Sequence, residues 1–424
     1  MSSLRIEGGH RLSGTIELSG NKNAILPIIA ASILTDQEVI LHNVPDIIDV
    51  ANMLEIASML GADVSRDQNS VTIKAADIVT TSIPRSHSSR IRTSLLFAGP
   101  LLVRCGTAKF WPPGGDVIGR RRLDAHFYGL TTMGAEVISE YSPFELKAES
   151  LFGRELFFDE ASVTATEHIM MTAALAKGTT VIRNAAAEPH VQDLAEFLCS
   201  MGADISGIGT NTLTIIGKEK LNGTEYTVTS DHIEAGSFLA MSAITGGDLR
   251  INGTTPKHYW MMHRVFEKFN ISFNLESDYI QLPGDQKLKI QPDLGNAVPV
   301  ISDGPWPQYP TDMMSCTIIM ATQAEGTMLF FEKMFESRIY FVDRLISMGA
   351  NAIVCDPHRV VISGPAKLKG SEMSSPDIRA GMAMLIAALS ADGNSIIHNA
   401  DIIFRGYDSL IEKISSLGGV IEKI

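Results

Sequence analysis

The sequence predicts a mixed α/β protein of two similar domains built from six copies of one module. Three observations carry that expectation. A helix–turn–strand pattern recurs along all 424 residues. A second helix-to-strand signature falls between its copies. The chain is also too long for one ordinary hydrophobic core.

The first pattern pairs apolar residues three and four apart with a small turn and then an alternating strand, the switch of period that marks a helix running into a half-buried strand. Its copies read ASMLGADV ending at Val64, LTTMGAEV at Val137, LCSMGADI at Ile205 and LISMGANA at Ala352. Two weaker copies are FEKFNISF ending at Phe273 and ISSLGGVI ending at Ile421. The second signature reads KGTTVIRN from Lys177, GGDLRING from Gly246, EGTMLFFE from Glu325 and DGNSIIHN from Asp392, with QEVILHN from Gln37 and CGTAKFW from Cys105 filling the remaining slots. Glycine suits the left-handed residue that closes a helix, and the β-branched alternation after it suits a strand. Three modules on each side of a midpoint near residue 230 give two domains. Repetition alone builds a scaffold and says nothing about chemistry.

Composition narrows the class. Apolar residues make up 45% and charged residues 20%, the balance of a packed globular enzyme. The opening MSSLRIEGGHRLSG has no apolar core after its basic residue, and no apolar run approaches the ~18 residues of a membrane span. A soluble, cytoplasmic protein is expected. Cys105, Cys199, Cys316 and Cys355 form no CxxC pair, which excludes a zinc or disulfide framework, and buried thiols are expected. A net charge of −13 excludes a nonspecific nucleic-acid binder. An anionic substrate must then be met by a local basic cluster.

The basic residues have distinctive settings. Lys22 stands between Asn21 and Asn23 just before an apolar helix, where helix-start amides and a lysine can receive an anion. Pro112, Pro113, Gly114 and Gly115 hold Asp116 in a segment that cannot be regular, followed by Arg120, Arg121 and Arg122. An acid on a glycine hinge beside arginines suits proton transfer near a bound anion, and such loops act as lids. YPTDMM around Asp312, FESRIYF around Arg338, SPDIRAGMAM around Arg379 and FRGYD around Arg405 complete the set. Arg379 opens a small-residue helix, again a place for amide donors to meet an anion. Taken singly, each arginine reads as a surface ion pair. Together with Lys22, Arg92 and Arg121 they suffice for a small multiply charged substrate.

In their order, SGNKNAILP, IRTSLLFAGPLL, PPGGDVIGRR-x-LDAH, AAAEPHVQDL, DHIEAGSF, YPTDM, FESR and FRGYDSLIEK resemble the UDP-N-acetylglucosamine enolpyruvyl transferases over essentially the whole chain. The resemblance implies a fold of two inside-out α/β barrels built from βαβαββ-type modules. Residues 22–230 would form the first, carrying the Asp116 loop, and residues 1–21 with 231–424 the second, with the active site in the cleft between them. It implies phosphoenolpyruvate and a nucleotide-sugar acceptor as substrates, and no metal or organic cofactor. Lys22 and Arg121, with Arg405 nearby, would hold the phosphate, and Arg338 and Arg379 the carboxylate. Asn23 and Asp312 would face the acceptor sugar, Asp312 as general base, and Asp116 would be the general acid. Arg92, Asp124, Ser162, Val163 and Met334 fall at nucleotide-binding or pocket-lining positions. Asp377 would organise the site through Arg379 or Lys22.

The chain also departs from that family. Asp116 stands where many members carry cysteine, and a carboxylate is a poor nucleophile for the epoxide fosfomycin, so insensitivity is expected. Arg122 replaces a proline, Glu160 a lysine that meets the nucleotide, Thr164 a glycine and His232 an arginine. A glutamate beside a diphosphate is unfavourable unless Arg120 or Arg122 compensates. These changes bear on the acceptor. The leading expectation is transfer to the 3-hydroxyl of UDP-N-acetylglucosamine, towards peptidoglycan. The alternatives are another nucleotide such as UMP in a natural-product pathway, and a noncatalytic sensor that would lack Lys22, Asp116, Asp312 or Arg405.

Overall fold

The computed structural model describes residues 2–116, 118–119 and 121–424. Two compact units emerge, one of residues 20–115 and 121–229, the other of residues 2–19, 116, 118–119 and 230–424. The resemblance assigned the whole Asp116 loop to the first barrel. The structure instead groups Asp116, Ile118 and Gly119 with the 230–424 unit, because their partners are there. Arg405 Nη1 donates to Asp116 Oδ1 at 3.1 Å, and the Ser337 amide donates to the Ile118 carbonyl at 3.3 Å. Arg120, expected to help neutralise Glu160, lies outside the described residues.

The repeat is a unit of sheet topology. Six four-stranded sheets each begin with a parallel pair and continue with two antiparallel pairings. In one, Glu38–His42 runs parallel to Thr224–Thr227 and antiparallel to Ser70–Lys74, which pairs antiparallel with Asp63–Asp67. Its register sets Val39 opposite Ile73 and Leu41 opposite Val71, all buried on one face, as a period of two requires. Strands distant in sequence complete the sheets. Thr224–Thr227 fills the slot beside Glu38–His42, while Ser3–Glu7 and Gly14–Glu17 pair with strands of the 230–424 unit.

Inside the sheets lie helices buried on nearly every side. In the 230–424 unit these are His232–Thr245, Thr311–Gln323 and Ile378–Ser390, packed on one another. Every residue from Ile378 to Leu389 is buried, so this helix has no polar face. Small residues allow the close approach: a Cβ on Gly236 would fall 2.6 Å from Met313 Cε. In the other unit Lys22–Ser32, Val163–Ala173 and the consecutive turns Arg92–Phe97 and Ala98–Cys105 take the same places. Sheets therefore surround helices, and the architecture is two inside-out α/β barrels. Outer helices such as Ile48–Leu60 bury one stripe only, Val50, Met53, Leu54 and Ala57 at helical spacing.

The turn residues explain the repeat. Gly61, Gly134, Gly202, Gly349 and Gly418 all take positive φ after their helices, and in the weaker copy Asn270 does the same at φ 60°. The cysteines differ from expectation. Cys316 is buried, but Cys199 is only half-buried and Cys105 and Cys355 are exposed. Cys105 ends its helix at the surface, and Cys355 lies on the outer strand Asn351–Asp356.

Candidate functional site

In the 230–424 unit, Asp312 sits in the first turn of helix Thr311–Gln323, where the helix dipole favours an anion. Its carboxylate lies between two guanidinium groups. Oδ1 accepts from Arg338 Nη2 at 3.0 Å, and Oδ2 accepts from Arg379 Nε at 3.0 Å and pairs with Arg379 Nη2 at 2.8 Å. Both arginines are almost fully buried. Two further donors of Arg338, Nε and Nη1, are buried with no hydrogen-bond partner among the described residues. Buried donors are normally satisfied, so these are open valences for an oxyanion.

A buried chain of contacts fixes Arg379. Arg379 Nη1 donates to the Tyr407 hydroxyl at 3.1 Å, and that oxygen lies 3.0 Å from Ser237 Oγ. Because the Ser237 hydroxyl donates to the Ile233 carbonyl, the Tyr407 proton is the one shared between them. Burial alone would lower the pKa of Arg379. The facing Asp312 carboxylate, with Tyr407 and Asp231, reverses this, and the group stays well above its ordinary value. Burial also pushes the Tyr407 phenol up and the Cys316 thiol up to about 11, so both remain neutral.

Asp377 caps helix Ile378–Ser390 by accepting the amides of Arg379 at 2.9 Å and Ala380 at 3.0 Å. It thus organises the Arg379 backbone and not its guanidinium. Burial raises its pKa, while the Ala380 amide and the Arg338 charge pull it down. This cap corrects one expectation, since two of the amide donors imagined for an anion are already taken. The same holds at Lys22–Ser32, where Asn21 Oδ1 accepts from the amides of Asn23 at 2.9 Å and Ala24 at 3.3 Å. At both helix starts a capping side chain takes two of the first amides.

In the 20–229 unit, Lys22 is the first helical residue and its Nζ pairs with buried Asp49 at 3.0 Å. Arg92 opens its helical turn, donates to the Arg122 carbonyl at 3.1 Å, and has a pKa lowered to about 10, by burial first and then by the charge of Arg121. The charge of Glu160 offsets this in part, so Glu160 acts on Arg92. Arg122, expected to compensate Glu160, instead pairs with Asp124 at 2.8 Å on the surface. Ser162 caps helix Val163–Ala173 and Val163 is its first residue. Thr164 adds a contact no glycine could make, 3.2 Å from His126 Nε2. His126 Nδ1 meets His168 Nδ1 at 3.0 Å, and burial, for His126 with its neighbour's charge, depresses both imidazoles, His168 to about 3. The two rings are therefore neutral near pH 7.

The structure thus brings together Asp116 with Arg405, Asp312 with Arg338, Arg379 and Asp377, and Arg92 with Arg121 and Glu160. Met334 joins the Asp312 cluster through Glu332, whose Oε1 accepts its amide at 3.3 Å. His232, read as an arginine replacement, is buried against the rings of His258 and Trp306. Sequence reading missed Asp49, Tyr407, Ser237 and the His126–His168 pair as partners. Asp49 carried only the weak signal of an acid in a first helical turn, which the helix dipole favours anyway.

Among the described residues, no helix is long and apolar enough to cross a membrane. Residues 6–414 match the family of EPSP synthase (3-phosphoshikimate 1-carboxyvinyltransferase). The UDP-N-acetylglucosamine 1-carboxyvinyltransferase of Borreliella burgdorferi is 50% identical over 424 residues, covering 100% of this chain and 99% of that protein. The protein of the same name from Treponema denticola is 51% identical, covering 98% of each chain. Among solved structures, the enolpyruvyl transferase NikO from Streptomyces tendae matches with a TM-score of 0.87 at 22% identity, over 100% of this chain and 99% of that one. EPSP synthase from Acinetobacter baumannii matches with a TM-score of 0.77 at 19% identity over the full length of both. With a family match across most of its length and full-length relatives at half identity, the chain belongs to the EPSP synthase family of enolpyruvyl transferases, alongside the UDP-N-acetylglucosamine 1-carboxyvinyltransferases.

Proposed function

We propose that this protein transfers the enolpyruvyl group of phosphoenolpyruvate to the 3-hydroxyl of UDP-N-acetylglucosamine, releasing phosphate, in the cytoplasm and towards peptidoglycan. The observation that carries this reading is the Asp312 carboxylate held between Arg338 and Arg379, with two buried Arg338 donors left over. One grouping places a base beside donors shaped for a carboxylate. Full-length relatives at half identity carry that activity in their names.

In this reading Asp116 delivers a proton to the methylene carbon of phosphoenolpyruvate, while Asp312 takes the proton of the attacking hydroxyl at the neighbouring carbon. Phosphate then leaves and the added proton is removed, restoring the enol ether. Arg338 and Arg379 hold the carboxylate, and Lys22, Arg121 and Arg405 the phosphate, so the negative charge of the intermediate meets fixed cations. Asn23 and Asp312 serve the sugar, and Arg92, Asp124, Ser162, Val163 and Met334 the nucleotide end of the acceptor. Asp377 acts as a positioning residue, through the backbone at Arg379.

The test is phosphate release from phosphoenolpyruvate with UDP-N-acetylglucosamine, UMP or shikimate 3-phosphate, with product mass recorded. Release with the first acceptor, and a product heavier by one enolpyruvyl group, is expected. Release with UMP alone would keep the chemistry and refute the acceptor. Glu160 beside Arg92 and Thr164 on His126 are the residues that would then account for it.

A further inference from the structure

Behind the Asp312 cluster lie two carboxyls that the reaction does not use. Glu332 follows strand Gly326–Phe331 and Asp303 follows strand Val300–Ser302, and both are fully buried. The Thr311 hydroxyl donates to Glu332 at 2.9 Å from Oε1 and 3.0 Å from Oε2. Glu332 Oε1 also accepts the amides of Met334 at 3.3 Å and Phe335 at 3.1 Å. Asp303 Oδ1 accepts the Lys333 amide at 2.5 Å. Three consecutive backbone N–H groups therefore converge on two carboxyls.

Asp303 Oδ2 is buried without a donor among the described residues, and the Asp303 and Glu332 side chains interact directly. Two ionised carboxylates in contact away from water repel, so one must carry a proton. Amides occupy Glu332 Oε1 and Asp303 Oδ1, which leaves Glu332 Oε2 and Asp303 Oδ2 as the oxygens open to such a proton. Burial first, and then the Asp303 contact, push the Glu332 carboxyl up to about 9, against the pull of Arg338 and the Thr311 hydroxyl. Few other charges face the pair. Lys333 reaches Ser302 Oγ and the Phe331 ring, Arg359 lies over that same ring, and His358 Nδ1 donates to the Glu332 carbonyl at 2.7 Å.

What the pair holds is specific. Thr311 precedes Asp312 on its helix. The anchored turn carries Met334, then Phe335, whose ring lies 5.3 Å from the Arg338 guanidinium, then Arg338 itself. Glu332 thus joins the segment bearing the proposed base to the segment bearing the proposed carboxylate clamp. We propose that Glu332 and Asp303 share one proton and act as a positioning pair that sets Asp312 against Arg338, so that losing this proton at alkaline pH uncouples base from clamp. The catalytic part of this inference rests on the enolpyruvyl-transfer reading. The shared proton does not.

Between the ordinary carboxyl value of 4.5 and about 9, the folded protein keeps a proton on Glu332 that the unfolded chain has released. Its contribution to stability is therefore complete below 4.5 and is lost as pH rises towards 9. The experiment compares wild type with Glu332→Gln and Glu332→Ala, recording melting temperature from pH 6 to pH 9 and kcat and KM for phosphoenolpyruvate across the same range. The glutamine carries a permanent N–H where the shared proton lies. It should flatten the fall of melting temperature with pH, retain most of kcat, and weaken the alkaline loss of activity. Alanine, which removes the joint, should lower kcat by about 30- to 100-fold, the cost of an ångström-scale misplacement. A Glu332→Gln slope parallel to wild type, or an alanine variant with wild-type kcat, would overturn the proposal. If the alanine variant does not fold, the glutamine slope decides. Wild type that releases no phosphate refutes the enolpyruvyl reading, and the melting slopes still judge the shared proton.

Discussion

Asp312→Asn separates the role of the base from that of the ion pair it forms. The substitution keeps the shape and one acceptor oxygen but removes the charge that faces Arg338 and Arg379, whose side chains are only 4% and 6% exposed. Breaking one side of a buried pair costs about 3–5 kcal/mol. The remaining amide oxygen can still take one of the hydrogen bonds, and Asp312 is 22% exposed, so a loss of about 2–3 kcal/mol is expected. For a domain of this size that is a fall of roughly 4–12 °C in melting temperature. Turnover should drop much further, by about 100- to 10,000-fold, the usual contribution of a positioned general base. KM for phosphoenolpyruvate should fall or stay put, because two arginines freed of their internal carboxylate are better hosts for an external one. Phosphate release and calorimetry read all three quantities. A variant within tenfold of wild-type kcat would refute Asp312 as base, and a large rise in KM with kcat intact would show that its task is to shape the arginine pair.

Two further variants test neighbouring links. Tyr407→Phe removes the hydroxyl between Arg379 and Ser237 while keeping the ring under the guanidinium, so it should cost about 1–3 kcal/mol of stability and raise KM for phosphoenolpyruvate more than it lowers kcat. An unchanged KM would show that Arg379 is held by Asp312 alone. Wild type should resist preincubation with fosfomycin, whereas Asp116→Cys should gain time-dependent inactivation. Half-inhibition of wild type at low micromolar fosfomycin would sink the reading of Asp116 as a weak nucleophile.

Much of the architecture was legible because it is local and repeated. A left-handed residue is needed wherever a helix turns back into a strand, so glycine marked five copies of the turn, and the substitute at Asn270 is one of the few residues that tolerates positive φ. Lys22 and Arg379 stood out because charge is rare at the starts of helices otherwise made of small apolar residues. The amide donors at those starts were misjudged, since a capping side chain such as Asn21 or Asp377 competes for them and only its rotamer decides the outcome. Arg120 or Arg122 was likewise expected to compensate Glu160, whereas Arg122 turns to Asp124 and the charge of Glu160 acts on Arg92.

By itself, then, the sequence determined the repeat, the strand periods, the positions of the turns and the stock of charged groups, because each follows from backbone geometry or composition over a few residues. Only the tertiary structure decided the pairings. Asp312 with Arg338 and Arg379, Lys22 with Asp49, Tyr407 with Ser237 and Glu332 with Asp303 join residues far apart in the chain. Whether a buried charge is neutralised, satisfied or forced to keep a proton depends on what lies within a few ångströms of it, and that is set by how helices and sheets pack.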